Sequence, residues 1–216
     1  MKDTIIGVDL AKRVFQVHGA SIAGEVKFRK KLTREQFRLF IAQQPACIVV
    51  FEACGSANYW AREVEKLGHE PKLIAPQYVR PFVKRQKNDA TDAEAIVIAA
   101  RQPEMRFVLP KTSEQQAKSV LFRNRERLVP QRTELVSALR SALYEYGHVF
   151  PIGLAHLKRM DALVQGRDCG LPSLIVTECQ ELLAQIAETA EKITMKTKRL
   201  KALADEADTA RRLHPT

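Results

Sequence analysis

Apolar residues open the chain in a pattern that is typical of β-strands. Residues 4–10 (TIIGVDL) form a short apolar run rich in β-branched side chains, and residues 14–20 and 25–32 alternate well enough to continue as two more strands. Residues 47–51 (CIVVF) form a continuous apolar run, as expected of a central strand covered on both faces. Residues 71–75 give another short strand. The first half of the chain therefore predicts a sheet.

Helical patterns lie between these strands. Thr33 is the predicted N-cap of a helix that runs to about Gln44, with Gln36 in the capping-box position. Small residues at 53–57 open a second helix, which Gly68 closes. Because strands alternate with helices after an opening meander, the pattern predicts an α/β fold with a mixed sheet and flanking helices.

The second half of the chain is predicted to be mainly helical. Residues 113–146 carry an apolar stripe that Pro130 is expected to kink. Residues 150–172 contain three glycines and two prolines and predict a linker with one helical turn. Beyond residue 173, apolar positions recur every seven residues, at Cys179, Ile186, Ile193, Leu200 and Ala207. This repeat predicts a coiled coil, either between chains or against the preceding long helix, and one amphipathic helix packed within its own chain is the alternative.

These patterns divide the chain into four predicted segments. They are an α/β domain at residues 1–110, a basic kinked helix at 111–149 that packs on or extends from it, a linker at 150–172 and a coiled-coil helix at 173–216. A length of 216 residues gives room for one moderate domain with an appendage, or for two small domains.

Positive charge is concentrated along the sequence. The formal net charge is +10, and residues 27–34 and 72–87 each hold five basic side chains, with no acid in the second stretch. Such stripes favour a polyanionic partner, although a solvated basic surface is the alternative and charge alone does not separate nucleic acid from an anionic membrane. No window approaches 18 uninterrupted apolar residues, so a membrane span and a secretory signal are not expected.

The cysteines give no support for a metal site or a disulfide framework. Cys47, Cys54, Cys169 and Cys179 form no C-x-x-C pair and have no histidine at metal-ligand spacing. They are interpreted as reduced thiols, which predicts a cytoplasmic location.

Acidic residues stand where apolar runs end. Asp9 closes the first run, Glu52 closes residues 47–51, and Asp89 and Asp92 open a helix. Because burying an ionised carboxylate beside a core strand is costly, several acids brought together invite a cation, and oxygen ligands select Mg²⁺ or Mn²⁺. Asp89 and Asp92 can face a common point, where two bound metals would act on a phosphodiester. Taken singly, Asp89 also fits an N-cap and Asp92 a first-turn acid, while Asp9 and Glu52 fit ordinary edge acids.

Longer motifs surround these acids. They are residues 7–12 (GVDLAK), 51–63 (FEACGSANYWARE), 73–96 (LIAPQYVRPFVKRQKNDATDAEAI) and 123–147 (RNRERLVPQRTELVSALRSALYEYG). The motifs resemble the DEDD insertion-sequence transposases that are related to the Piv DNA invertase. The resemblance implies an RNase H-like fold of the Holliday-junction-resolvase type, in a protein that rearranges DNA and in some members is guided by a structured RNA. It also implies that the catalytic residues and the metal ligands are Asp9, Glu52, Asp89 and Asp92.

The same resemblance and the basic stripes predict nucleic-acid contacts. The residues assigned to them are Lys12, Arg80, Lys84, Arg85, Lys87, Arg123, Arg125, Arg127, Arg132 and Arg140. A solvated helix face is the alternative for the last five. We also expect a homo-oligomer, a dimer or a tetramer, through the coiled coil.

One departure from the family pattern affects the expected activity. Related enzymes continue into a second domain that supplies a catalytic serine, and this chain ends at residues 211–216 (RRLHPT), about where that domain would begin. We therefore expect the N-terminal portion of a DNA transposase that is incomplete for recombination by itself.

Two other functions fit parts of the pattern. The acids alone predict a structure-selective, metal-dependent nuclease, and the basic stripes with the coiled coil predict a non-catalytic module that binds nucleic acid and dimerises. An actin-like ATPase shares the Gly-x-Asp of the first strand, but the sequence has no second glycine-rich phosphate loop.

Overall fold

The computed structural model describes residues 3–83, 89–166 and 170–213, without the side chains of residues 89–91 and 207–213. The chain divides into two compact units, Met1–Gln116 and Ala117–Thr216. The strands are β1 (Thr4–Leu10), β2 (Val14–Ser21), β3 (Val26–Thr33), β4 (Ile48–Glu52) and β5 (Glu70–Ile74). The α-helices are α1 (Arg34–Ala42), α2 (Ala57–Lys66), α3 (Pro76–Val79), α4 (Asp89–Ala100), α5 (Ser113–Glu145), α6 (Leu157–Gln165) and α7 (Ser173–Leu213), with short 3-10 turns at Arg80–Phe82 and Leu154–His156.

The five strands of the first unit form one mixed sheet in the order β3-β2-β1-β4-β5. β1 is parallel to β4 and β4 is parallel to β5, whereas β2 is antiparallel to both β1 and β3. Only the second strand therefore runs against the others, which is the arrangement of an RNase H-like sheet. The predicted fold class is confirmed, and each strand lies within one residue of its predicted position.

Two helical layers cover the sheet. On one face, residues of α1 and α2 pack against Val8, Phe15 and Phe51 and form a core that includes an edge-to-face cluster of aromatic rings. On the other face, α4 packs its small and β-branched residues against Val50 and Ile74. We call this second side of the sheet the α4 face. Both faces of the central strands are buried, as the unbroken apolar runs predict.

The start of α1 confirms the predicted capping box. The backbone N–H of Gln36 donates to Thr33 Oγ1 over 3.3 Å, and the backbone N–H of Thr33 donates to Gln36 Oε1 over 2.9 Å. Two N–H groups that the helix cannot satisfy internally are thereby paired. Gly68 follows the C-terminal end of α2 and has a φ of +86°, in the left-handed region that glycine adopts at little cost.

The core of the second unit is formed by α5, α6 and α7. Leu139, Leu143, Met160, Cys179 and Ile186 are almost completely buried against one another. The heptad positions at the start of α7 are therefore filled within the chain, which is one of the two arrangements that the repeat predicted.

Residues 150–172 differ from the predicted linker. They contain α6, and Met160 and Val164 are 0% and 2% exposed. The glycines and prolines of this stretch flank the helix, and its apolar residues recur at three- and four-residue spacing. Composition predicted a linker with only one helical turn because the glycines and prolines were given more weight than that short period.

Two further predictions concern cysteines and membranes. Cys47, Cys54 and Cys179 are not joined in a disulfide, and Cys169 lies outside the described residues. Among the helices that the structure describes, none is long and apolar enough to cross a membrane.

Candidate functional site

Asp9 and Glu52 lie at the same end of two neighbouring parallel strands. Asp9 is the penultimate residue of β1, and Glu52 is the last residue of β4. Val8 pairs with Phe51, so Asp9 and Glu52 are the next positions along the two strands. Because neighbouring strands are about 4.8 Å apart, the two acids start from adjacent backbone positions.

Both acids are on the α4 face of the sheet. Residues two apart in a strand point the same way. Gly7, two residues before Asp9, approaches α4 so closely that a Cβ there would lie 2.5 Å from the carbonyl oxygen of Ala93. Val50, two residues before Glu52, belongs to the core that α4 covers. Asp9 and Glu52 therefore both lie on the side of the sheet that α4 covers.

The electrostatics of Glu52 bring Asp92 into the same site. Both side chains are half-buried. Burial raises the pKa of the Glu52 carboxyl above its ordinary value, the nearby negative charge of Asp92 raises this pKa further, and the positive charge of Arg80 lowers it. Two carboxylates on separate elements, about forty residues apart in sequence, are thus close enough to repel each other.

The donor chemistry of this pair fits a divalent cation. Carboxylate oxygens are the ligands that Mg²⁺ and Mn²⁺ prefer. A cation between Glu52 and Asp92 would relieve their repulsion. Asp89 begins α4 one helical turn before Asp92, and its side chain lies outside the described residues. Within the described side chains, no group of three or more acids, histidines or cysteines could hold a metal ion by itself.

A polar network that the sequence did not single out borders the acids. His18 pairs with Gly7 in the register and is only 3% exposed. Arg29 on β3 donates from Nε to His18 Nδ1 over 3.4 Å, and its Nη2 lies 3.5 Å from Glu94 Oε1 on α4. This arginine therefore connects the edge strand with the helix that carries Asp92. Only the cross-strand register reveals the connection, since the residues are far apart in sequence.

Comparisons with known proteins show the family of the chain. Residues 6–148 match the profile of the DEDD transposases of the IS110 type, whose description reads "Transposase". The match covers more than half of the chain and includes Asp9, Glu52, Asp89 and Asp92. The chain belongs to this transposase family.

Curated relatives agree with this assignment. The probable family 20 transposase of Pseudomonas aeruginosa is 54% identical over 142 residues, which are 66% of this chain and 42% of the relative. The transposase for insertion sequence element IS1328 of Yersinia enterocolitica is 40% identical over 210 residues, which are 97% of this chain and 62% of the relative. The chain thus spans about half the length of the curated transposases it matches.

One similar solved structure is Thermus thermophilus RuvC in complex with a Holliday junction substrate. It has a TM-score of 0.36 and 10% sequence identity, and the alignment covers 49% of this chain and 99% of that one. This similarity is too weak to support a conclusion beyond those drawn from the strand topology.

Some of the basic residues predicted to bind nucleic acid border the acids of this transposase chain. Arg80 is exposed in the turn after α3, and its charge acts on Glu52. Lys12 is exposed in the turn between β1 and β2, three residues after Asp9. Lys84, Arg85 and Lys87 lie outside the described residues, and their contacts stay predictions.

The five arginines of α5 are not equivalent. Arg123 and Arg127 are exposed, whereas Arg125, Arg132 and Arg140 are half-buried. Arg125 donates from Nε to Thr197 Oγ1 of α7 over 3.4 Å. Arg125, Arg132 and buried Leu139 are spaced seven residues apart, so they share the side of α5 that packs within the second unit. The sequence predicted one basic face, and the structure divides it into an outer and an inner group.

Proposed function

We propose that this chain is the part of an insertion-sequence transposase that binds divalent metal and cleaves DNA. The observation that carries the proposal is the approach of Asp92 on α4 to Glu52 at the end of β4, with Asp9 at the adjacent strand end on the same face. Carboxylates that are brought together in a half-buried setting repel one another, and this is costly unless positive charge offsets it. Their position together at the ends of β1 and β4 has a function if a cation is bound there.

The proposed metal ligands are Asp9, Glu52, Asp89 and Asp92, and the proposed cofactor is Mg²⁺ or Mn²⁺. When bound, such ions supply an activated oxygen nucleophile and stabilise the leaving oxygen of a phosphodiester. The side chains orient the cations and keep them at the strand ends. Arg80 places a positive charge beside Glu52 and is suited to bind a non-bridging oxygen of the DNA phosphate.

Metal binding by the wild-type chain tests this proposal without requiring a complete recombination reaction. Titration with Mn²⁺, followed by electron paramagnetic resonance of the free ion, should show saturable binding that Glu52→Gln weakens at least tenfold. The matched control is Glu65→Gln, because Glu65 is exposed on α2 and undergoes the same chemical change. Equal Mn²⁺ affinity in wild type and Glu52→Gln would overturn the proposed site.

Cleavage is tested separately on duplex and branched DNA. We expect Mg²⁺-dependent strand scission that Asp92→Asn abolishes and Glu65→Gln retains. Cleavage of branched DNA alone would favour the structure-selective nuclease, and nucleic-acid binding without Mn²⁺ binding would favour the non-catalytic module.

The second unit is proposed to bind nucleic acid, including a structured RNA, through the outer arginines of α5. Arg123 and Arg127 are exposed, while Lys192 on α7 is paired with Glu188 at 2.6 Å. Arg127→Ala should therefore weaken binding and reduce the slope of log affinity against log salt by about 0.7–0.9. Lys192→Ala should change this slope less. The measurement is fluorescence anisotropy with a hairpin RNA and with a DNA duplex, and equal effects of the two variants would contradict the proposal.

Assembly into a homo-oligomer stays a prediction. Cys179, Ile186 and Ile193 are buried within the chain, so a coiled coil between chains would use positions of α7 from Leu200 onward. Sedimentation equilibrium of the wild-type chain measures the mass directly. A monomer at all concentrations would contradict the dimer or tetramer.

A further inference from the structure

Most of the basic side chains at residues 27–34 already have partners within the first unit. The partners are Asp3 and Thr4 for Lys27, His18 and Glu94 for Arg29, the Phe40 ring for Lys30, and the Phe15 and Trp60 rings for Arg34. Lys31 is the exception, because it is exposed and has no ion pair, hydrogen bond or ring contact among the described residues. A stripe that looks uniformly cationic in sequence thus leaves one ammonium group without a described partner.

Lys31 is also in register with the acids. It pairs with Gln16 across β3 and β2, and Gln16 pairs with Asp9 across β2 and β1. Directly opposed residues of a sheet point to the same side. The neighbouring pair of His18 and Arg29 contacts α4, which confirms that this row lies on the α4 face.

The cross-strand row of Asp9, Gln16 and Lys31 runs from the acid site to the edge strand β3. Lys31 lies two strands from Asp9, which is about 10 Å between backbones. Gln16 stands between them, is half-buried and carries no charge. Successive phosphates of one duplex strand advance by about 3.4 Å along the axis. A DNA strand with one phosphate at the acids would therefore bring a phosphate of the next one to three nucleotides to Lys31.

We propose that Lys31 binds a backbone phosphate of the same DNA strand that the acids engage, one to three nucleotides from the phosphate at Asp9 and Glu52. This inference rests on the proposed function of the acid site. It gives the site a direction, since the bound strand crosses the sheet from β4 toward the edge strand β3. A competing role is protection of the edge, because lysines on edge strands discourage pairing with other chains.

The sequence of β3 provides a matched control. Lys30 is the adjacent residue, points to the opposite face and packs over the Phe40 ring with Nζ 5.4 Å from the ring centroid. Lys31→Gln and Lys30→Gln remove the same charge from neighbouring positions. A general effect of net charge would be equal in the two variants, whereas a contact in the acid row would affect only Lys31→Gln.

The test uses the full chain with Ca²⁺ in place of Mg²⁺ and measures binding to a labelled DNA duplex by anisotropy. Lys31→Gln should weaken binding about two- to fivefold, as for one exposed ion pair, and reduce the salt slope by about 0.9. Lys30→Gln should match the wild type, and Lys31→Arg should restore binding. Competition by oligothymidylates with one to six phosphates then locates the contact. A competitor with one phosphate should bind Lys31→Gln and the wild type equally. The loss of affinity in Lys31→Gln should appear when the competitor carries two to four phosphates, and it should persist for longer competitors.

Each outcome has a consequence. Equal losses in Lys31→Gln and Lys30→Gln, or no loss in either, overturn the inference, and aggregation of Lys31→Gln with normal binding supports edge protection instead. A defect already present with one phosphate places Lys31 at the acids themselves and also overturns it. If the wild type binds Mn²⁺ but Lys31→Gln has no DNA defect, only this inference fails. If the wild type binds neither Mn²⁺ nor DNA, the proposed function fails with it.

Discussion

The close contact between β1 and α4 at Gly7 can be tested by adding one methyl group. In Gly7→Ala, the new Cβ would lie 2.5 Å from the carbonyl oxygen of Ala93 and 2.6 Å from Val97 Cγ2. The first of these atoms belongs to the helix backbone, so no side-chain rotation can relieve it. Restoring a van der Waals separation of about 3.5 Å requires α4 to move roughly 1 Å away from β1.

Two consequences of this displacement differ in size. Overpacking of this kind costs about 1–3 kcal/mol, from which the lower chain entropy of unfolded alanine recovers about 0.4–1 kcal/mol, so a net loss of up to about 2.6 kcal/mol is expected. Asp92 precedes Ala93 and moves with the helix. Because metal sites need ligands within about 0.5 Å of their working positions, a shift of roughly 1 Å should weaken Mn²⁺ binding about 10- to 100-fold.

The assay combines urea denaturation with Mn²⁺ titration of the folded variant. Gly55→Ala is the matched control, because a Cβ at Gly55 meets no atom within 4 Å and the backbone there does not have a positive φ. The control should keep the stability and the Mn²⁺ affinity of the wild type. If Gly7→Ala did the same, the contact of β1 with α4 would not position the acids, and the geometric argument for the site would be wrong.

Two further predictions concern charge and packing. In the metal-free protein, Asp92→Asn removes a negative charge that raises the pKa of Glu52, so this pKa should fall, and Arg80→Gln should make it rise. A raised carboxyl pKa lowers the free energy of unfolding as the pH increases above the ordinary value of 4.5, so Asp92→Asn should lose less stability than the wild type above this pH. NMR titration of the Glu52 carboxyl measures the pKa, and denaturation at several pH values measures the stability. An unchanged or higher pKa of Glu52 in Asp92→Asn would contradict the prediction. In the second unit, Ile186→Ala should lower the free energy of unfolding by about 2–5 kcal/mol, since Ile186 is 1% exposed. Met195 is 59% exposed, so Met195→Ala should change stability by less than about 0.5 kcal/mol. Similar urea midpoints for these two variants would refute the packing of α7 within the chain.

Local sequence signals predicted the elements of the sheet because they depend on neighbouring residues. The apolar run that ends at Glu52 became β4, and the hydroxyl and amide at Thr33 and Gln36 formed the capping box that starts α1. Such features need only the two-residue period of a strand or the first turn of a helix. The position of Asp9 near the end of β1 could be predicted for the same reason.

Features that depend on pairing across strands could not be predicted. The sequence shows five basic residues at 27–34 as one stripe, but the register decides that Arg29 contacts Glu94 while Lys31 lies in the row of Asp9. Successive side chains of β3 point to opposite faces of the sheet, so Lys30 and Lys31 lie on different faces. The sequence pattern does not show which of these faces α4 covers. The partial burial of Arg125 and Arg132 was missed for a related reason, since positive charge was given more weight than the seven-residue spacing to Leu139.

The arrangement of α4 explains how the first unit can hold acids that repel each other. Burial and the charge of Asp92 both raise the pKa of Glu52, and the attraction of Arg80 lowers it by less than either raises it. Packing therefore has to hold α4 in place, through the core it shares with Val50 and through Arg101, which donates to the carbonyl oxygens of residues 22 and 23 over 3.1 and 2.6 Å. If packing offsets the repulsion in this way, a cation that binds between the acids makes the folded protein more stable, by an amount set by the cation's affinity and concentration. The metal site that we propose would give the close helix, the glycine that permits it and the raised pKa of Glu52 one common explanation.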